Sequence, residues 1–264
     1  MSSGRPPGPV EAALRDRRDA GGKCLVAYAT GGLGEDWLDT VRAIAAAGAD
    51  AIEIGVPFSD PVMDGPTIQA ANDRALEDGA TPVGILDALR GADVGAPLAV
   101  MTYYNIVHRM GLKRFATTLV DSGVSGCILP DLPLEEAGAW LNVADEAGVE
   151  PILLAAPTAP DERLPRICER SRGFVYGVGL LGVTGVRAEL AASAVEIATR
   201  LKPLTDLPVL VGVGVGTPEQ AVEAASHGDG VVIGSAVVQR MLDGAGPERV
   251  GELVAAFRSA LDAS

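Results

Sequence analysis

The sequence predicts an α/β fold, a single (β/α)₈ TIM barrel with an extra N-terminal helix. Three observations support this prediction. A short apolar run followed by a segment of helical periodicity recurs eight times within the 264 residues. The apolar runs are continuous rather than alternating, which is typical of parallel strands buried on both faces. Four of the helical segments also end in a glycine directly before the next strand, in the sequences AGAD, SGVS, AGVE and HGDG.

The elements follow one another in a regular order. Residues 10–19 are predicted to form a charged helix that precedes the barrel and covers one of its ends. Strands are predicted at 24–29, 51–54, 97–102, 126–129, 150–155, 174–177, 208–212 and 230–233. Helices are predicted at 37–47, 67–78, 82–90, 112–122, 134–147, 161–171, 192–201, 218–227 and 247–261. Eight units in about 250 residues favour a closed barrel over the alternative, a doubly wound open sheet, which usually has about five to seven strands.

The length suits a single domain covering residues 1–264, with residues 1–9 predicted to be flexible. That polar first stretch lacks the apolar run of a secretion signal, and no run approaches the roughly 18 apolar residues of a membrane span. The three cysteines, Cys24, Cys127 and Cys168, are widely spaced, so we expect neither a disulfide framework nor a zinc site. This cysteine usage favours a reducing cytoplasm.

The charge balance excludes some classes of partner. There are 35 acidic and 21 basic residues, a net charge of −14. Nucleic acids and anionic membranes are bound by clustered lysine and arginine, so neither partner is expected. Small anions stay possible, because backbone amides can bind them without basic side chains.

Two acids mark the predicted site. Glu53 interrupts the apolar run of the second strand near its carboxyl end, and Asp64 follows eleven residues later in a turn-rich loop. Active sites of such barrels lie at the carboxyl ends of the strands. A structural ion pair for the first acid and a simple turn role for the second are the alternatives. Burial of Glu53 without a basic neighbour in sequence would raise its pKa and allow proton exchange near neutrality.

Glycine-rich loops follow the last three strands. They occupy residues 182–185, 212–216 and 234–235. Glycine lets the backbone approach a ligand closely, and loops after the seventh and eighth strands of barrels often bind phosphate. Tight turns alone would explain any one of these loops, but three together favour a small phosphate ester as substrate.

Other catalytic chemistries find no suitable residues. The three lysines, Lys23, Lys113 and Lys202, lie at a strand start or on helices and not where a Schiff base would form. The two histidines, His108 and His227, are not spaced as a metal pair, so no metal site is predicted. Acid–base catalysis by two carboxylates on a phosphorylated substrate is what the residues favour.

A long segment resembles a known family. Residues 52–69, IEIGVPFSDPVMDGPTIQ, closely resemble the signature of the tryptophan synthase α subunit. The likeness extends to MTYYN at 101–105, PDLP at 130–133, GVTG at 182–185 and GS at 234–235. It implies a lyase of tryptophan biosynthesis that cleaves indole-3-glycerol phosphate to indole and D-glyceraldehyde 3-phosphate. It also implies an α₂β₂ tetramer in which indole passes to a β subunit carrying pyridoxal phosphate, with no cofactor in this chain.

The resemblance also implies roles for individual residues. Glu53 corresponds to the general acid and base, and Asp64 to the anion that binds the indole N–H. Substrate-binding positions would be Tyr28, Tyr103, Leu129, Tyr176 and Thr184, the last positioning Asp64 when its loop closes. Phosphate would bind the backbone amides of Gly185, Gly214, Gly234 and Ser235.

The chain departs from the family pattern at 30–34 (TGGLG), where an acid and a proline are usual, at Gly179-Leu180, where a Ser-Arg pair is common, and at Val213. These positions concern loop movement and coupling to a β subunit rather than the two carboxylates. Two alternative functions stay open. One is a standalone lyase that releases free indole; the other is a catalytically silent partner that activates a β subunit, which the intact acids disfavour.

Overall fold

Eight parallel strands form a closed barrel in a computed structural model that describes residues 6–179, 187–212 and 214–264. Each strand pairs with the next along the chain, and the last pairs with the first. The strands are β1 Cys24–Thr30, β2 Ala51–Gly55, β3 Leu98–Met101, β4 Val124–Ile128, β5 Glu150–Ala155, β6 Val175–Val178, β7 Val209–Gly212 and β8 Gly230–Ile233. The predicted (β/α)₈ barrel is therefore confirmed.

Helices surround the barrel. Within the described residues they are α1 Pro9–Asp19, α2 Trp37–Ala46, α3 Pro66–Glu77, α4 Pro82–Leu89, α5 Tyr104–Met110, α6 Leu112–Asp121, α7 Gly138–Ala147, α8 Leu164–Arg170, α9 Arg187–Leu201, α10 Pro218–Ala225, α11 Ser235–Leu242 and α12 Gly246–Asp262, with a 3₁₀ turn at Lys202–Leu204. No helix of this described part is long and apolar enough to span a membrane.

Some predicted bounds need correction. Helices α5 and α11 and the 3₁₀ turn are not among the predicted elements, and α7 begins at Gly138 rather than at residue 134. Helix α5 was missed because its first N–H is bound by a residue remote in sequence. The backbone N–H of Tyr104 donates to both carboxylate oxygens of Asp131 at 2.9 and 3.1 Å, from the loop after β4.

Side chains alternate between the inside and the outside of the barrel. One buried cluster fills the interior and includes Val26, Ala51, Ile128 and Leu210. The residues between these positions, such as Ile52, belong to the cluster that packs against the helices. The interior is thus solid at this level, and a ligand can enter only above it.

Helix α1 closes the amino-terminal end of the barrel, as expected. Its Val10 and Leu14 are fully buried in the interior cluster. The N–H groups of Val10 and Glu11 donate to the carboxylate of Glu150 at 2.9 Å each, which satisfies two donors of the helix's first turn. Residues 1–5 of the predicted flexible stretch lie outside the described residues, whereas Pro9 already begins the helix. The opposite end stays free for a site.

Candidate active site

Glu53 lies in the middle of β2, aligned with Tyr28 on β1 and Ala99 on β3. Only 1% of its surface is exposed. Its Oε2 atom is buried and has no hydrogen-bond partner among the described residues. Burial, and then the negative charge of Asp64, raise the pKa of Glu53 to about 8. The side chain is therefore protonated at neutral pH and can donate a proton.

Asp64 lies in the turn between β2 and α3. Its N–H donates to the carbonyl of Pro61 at 2.9 Å, and α3 begins two residues later at Pro66. Burial raises the pKa of Asp64 to about 6, while hydrogen bonds from Tyr103 and Asn72 oppose this increase. Asp64 is consequently ionised at neutral pH, in contrast to Glu53.

Both acids line one cavity of about 240 Å³ at the carboxyl end of the barrel. Predicted site residues that share its lining are Tyr28, Glu53, Asp64, Tyr176, Gly214, Gly234 and Ser235. A more open cleft of about 630 Å³ lies beside α3 and α4, but its charged lining residues, Glu35, Arg74 and Asp78, are all exposed. The smaller cavity contains two acids with raised pKa values, one buried and one half-buried, which makes it the better candidate site.

The two tyrosines reach the cavity because glycines leave room for them. A Cβ atom on Gly55 would collide with the hydroxyl of Tyr28, and one on Gly212 would collide with the ring of Tyr176. Burial raises the pKa values of both phenols well above the ordinary value of tyrosine, so both side chains stay neutral. They can therefore act as aromatic walls and hydrogen-bond donors.

The glycine-rich wall offers backbone amides. Gly212, Gly214, Gly234 and Ser235 all line the cavity, and Gly214 has a φ of +67°, a conformation that favours glycine. Ser235 is the first residue of α11, whose initial N–H groups have no partner within the helix. This wall suits an anion such as phosphate. The predicted Thr184 and Gly185 lie outside the described residues.

Two predicted substrate-binding residues, Tyr103 and Leu129, do not line the cavity. Tyr103 is buried beside the cavity, where its hydroxyl accepts a hydrogen bond from the N–H of Met63 at 3.0 Å and its ring stacks on Phe58. Leu129 belongs to the cluster between strands and helices, and its neighbour Pro130 lines the cavity instead. The alternation along β4 explains this placement, because Ile128 points inwards and Leu129 points outwards.

Sequence reasoning did not single out several apolar members of the lining. These are Met63, Ile68, Met101, Leu154, Val178 and Val232. A period-two count along each strand would have found some of them, since Met101, Leu154 and Val232 continue the inward series of β3, β5 and β8. Asn72, which contacts Asp64 from α3, gave no signal because the contact exists only in the folded chain.

Within the described ranges, no group of three or more His, Cys, Asp or Glu side chains could hold a metal ion. Lys23 donates to the carbonyl of Gly228 and Lys202 to the carboxylate of Asp229, both at the closed end of the barrel. Lys113 is exposed on α6. The described lining of the cavity therefore offers carboxylic acids, phenols and backbone amides for chemistry.

A TIM barrel with one protonated and one ionised carboxyl group facing an amide-lined wall has the features of an acid–base enzyme. Comparison with known proteins identifies the family. The sequence profile of the tryptophan synthase alpha chain matches residues 14–261, and this chain belongs to that family. A tryptophan synthase alpha chain of Thermobifida fusca is 44% identical over 236 residues, covering 87% of each chain.

Other relatives agree. An alpha chain of Gloeobacter violaceus is 45% identical over 273 aligned positions, covering 100% of this chain and 98% of its own. Among solved structures, a chain of Mycobacterium tuberculosis tryptophan synthase has a TM-score of 0.89 with 36% identity, covering 97% of this chain and 99% of its own. The alpha chain of Legionella pneumophila has a TM-score of 0.85 with 32% identity, covering 96% and 97%.

Proposed function

We propose that this chain cleaves indole-3-glycerol phosphate to indole and D-glyceraldehyde 3-phosphate, a retro-aldol lyase reaction of tryptophan biosynthesis. The observation that supports it most is the pair Glu53 and Asp64, which line one cavity with pKa values raised to about 8 and about 6. At a pH between those two values, Glu53 is protonated and Asp64 is ionised. Family membership is the second support.

Cleavage requires a proton at C3 of the indole ring, because the ring carbon leaves as a stable group only after protonation. Glu53 is the proposed donor, since it is protonated near neutrality. Its carboxylate then accepts the proton of the hydroxyl on the side-chain carbon bonded to C3. That carbon becomes the aldehyde carbon, and the electrons of the broken C–C bond return to the ring. The proton count balances without another co-reactant.

Asp64 is proposed to stabilise the positive charge that protonation creates in the ring. An anion close to the ring N–H lowers the energy of the cation, and the half-buried position of Asp64 limits screening by water. Tyr28 and Tyr176 would form aromatic walls for the bicyclic ring, with Tyr103 supporting Asp64. Thr184 is proposed to contact Asp64 from the sixth loop.

The phosphate is proposed to bind the amides of Gly185, Gly214, Gly234 and Ser235. Three of these line the cavity, and Ser235 contributes a helix N-terminus. Among the described lining residues there is neither lysine nor arginine, so hydrogen bonds from the backbone would carry the recognition.

A β subunit is the proposed partner, in an α₂β₂ tetramer in which that subunit holds pyridoxal phosphate and receives the indole. The solved structure from Mycobacterium tuberculosis that resembles this chain is a tryptophan synthase. The loop between β2 and α3 exposes apolar side chains close to the site, with Val62 78% exposed and Met63 37% exposed. An exposed apolar loop beside the cavity is suited to contact another subunit.

The test is indole release from indole-3-glycerol phosphate by the purified chain, with and without its β subunit. Strong activation by the β subunit supports the tetramer, and fast release without it indicates a standalone lyase. No release under either condition would refute the proposed reaction. Glu53→Gln and Asp64→Asn are the controls for background cleavage.

A further inference from the structure

Asn72 has a buried amide for which the packing of α3 gives no explanation. Only 2% of its surface is exposed, and it lies beside the fully buried Ala71 on the helix face that packs against Tyr28 and Val238. Its Nδ2 donates to Oδ2 of Asp64 at 3.3 Å. Its Oδ1 is buried and has no hydrogen-bond partner among the described residues. Burying a half-satisfied amide is unfavourable, which suggests a functional reason for it.

The surroundings of Asp64 show what the amide can supply. Titratable groups of the described residues that interact with this carboxylate are Glu53 on β2, Tyr28 on β1, Tyr103 after β3 and Tyr176 on β6. None of them carries positive charge. The anion must therefore be favoured by neutral hydrogen-bond donors, or it would take up a proton in this half-buried place.

Asn72 differs from Tyr103 as a donor. A phenol hydroxyl can rotate, and that of Tyr103 also accepts a hydrogen bond from the N–H of Met63. The amide of Asn72 is planar and is fixed by a helix packed against the barrel. The orientation of the Asn72 amide group is also determined, because rotating the amide by 180° would place Oδ1 against a carboxylate oxygen of Asp64.

We propose that Asn72 is a positioning residue that keeps Asp64 ionised and aims its carboxylate at the ring N–H of the substrate. This inference rests on the proposed lyase function. It assigns to α3 an indirect part in the reaction: the helix holds the anion that the cationic ring requires. Asn72 itself does not line the cavity and acts through Asp64.

The chain offers a matched control for the experiment. Gln69 lies one helical turn earlier on α3 and is exposed, and its Nε2 donates to the backbone carbonyl of Asp64 at 2.9 Å. Gln69→Leu therefore removes a hydrogen bond to the same residue but not to its carboxylate. Asn72→Leu removes the donor with an apolar side chain of similar size, and Asn72→Ala removes it with a smaller side chain that favours the helix, so that at least one variant keeps the packing of α3.

We expect Asn72→Leu and Asn72→Ala to reduce kcat about tenfold near pH 6.5, the scale of a charge-assisted hydrogen bond, with a smaller change in KM. The acidic limb of the pH profile of kcat should move to higher pH in both variants. Gln69→Leu should leave the limb where it is in the wild type. The proposal would be overturned if the acidic limb of both Asn72 variants lay at the wild-type pH, or if Gln69→Leu moved the limb to higher pH as far as the Asn72 variants do.

A second measurement does not depend on turnover. Carbon-13 NMR of protein labelled at the aspartate carboxyl groups, with the Asp64 signal assigned by its loss in Asp64→Asn, reports the titration midpoint of Asp64 directly. We expect a higher midpoint in Asn72→Leu than in the wild type, and an equal midpoint would refute the role of Asn72. An inactive wild type in which the midpoint still moves would refute only the proposed reaction.

Discussion

Two glutamates sit on barrel strands, both buried, at opposite ends of the fold. Glu150 begins β5 at the closed end and is 4% exposed, while Glu53 on β2 faces the open end. Glu150 accepts backbone hydrogen bonds from Val10 and Glu11, which oppose the increase of its pKa and leave it at about 7. Burial, and then the charge of Asp64, raise the pKa of Glu53 to about 8, and its Oε2 has no hydrogen-bond partner among the described residues. Burial alone therefore does not distinguish a structural acid from a reactive one; the hydrogen bonds do.

Other acids at the closed end follow the pattern of Glu150. Asp50 accepts from the N–H of Leu25 at 2.7 Å and pairs with Arg17 and Arg258. Asp229 accepts from the N–H of Val209 at 2.8 Å and pairs with Lys202. Each joins a strand start to its surroundings, whereas the acids of the cavity lack such ion pairs among its described lining residues. The closed end stabilises the fold, and the open end is free to react.

The largest effect is expected from Glu53→Gln, which should lower turnover of indole-3-glycerol phosphate by at least ~10², since the proton donor is lost. The melting temperature should not fall, because a buried acid with one oxygen that has no partner among the described residues is replaced by a neutral group of the same shape. Steady-state kinetics and thermal unfolding at pH 7.5 measure the two effects. Near wild-type turnover would remove Glu53 from the mechanism.

Asp64→Asn should reduce turnover by about 10² as well, because the developing cation then faces a neutral amide. The acidic limb of the pH profile, which we expect near pH 6 in the wild type, should disappear, since the titrating group of pKa about 6 is absent. A pH profile of kcat between 5 and 9 tests this. An unchanged acidic limb would assign it to another group.

Glu150→Gln should have the opposite effect to Glu53→Gln: it should lower stability and leave turnover unchanged. The amide can accept one of the two backbone hydrogen bonds and places a donor against the other N–H, so stability should fall by about 1–3 kcal/mol. Turnover of the folded protein should match the wild type. Urea denaturation combined with kinetics below the transition tests both statements; a stable but slow variant would show that the closed end contributes to catalysis.

The sequence was sufficient for the barrel because each strand and helix carries its own local pattern, such as the apolar run of β2 and the helical period of α2. It was also sufficient for the two acids, because Glu53 is conspicuous within an apolar run. It was insufficient where partners are distant in sequence. The start of α5 depends on Asp131, and Asn72 meets Asp64 only after α3 has packed.

Leu129 is a different case, because its position could have been derived. Counting alternate residues along β4 places Ile128 inside the barrel and Leu129 outside. The continuous apolar character of a strand buried on both faces conceals this parity. On β1, β2 and β6 the polar or aromatic residues Tyr28, Glu53 and Tyr176 reveal it, since all three share the cavity.

A pH dependence of stability is expected as well. The pKa values of Glu53 and Glu150 are raised in the folded chain, to about 8 and about 7, so the native state binds more protons than the unfolded state. The stability that these two groups contribute should therefore be complete below the ordinary glutamate pKa of about 4.3 and should fall as pH rises from about 5 to 8. Melting temperatures measured across that range should decline less steeply in Glu53→Gln than in the wild type. Glu150→Gln should also flatten the curve, so the two variants measure the contributions of the two ends of the barrel. Parallel curves for the wild type and both variants would show that neither glutamate titrates in this range.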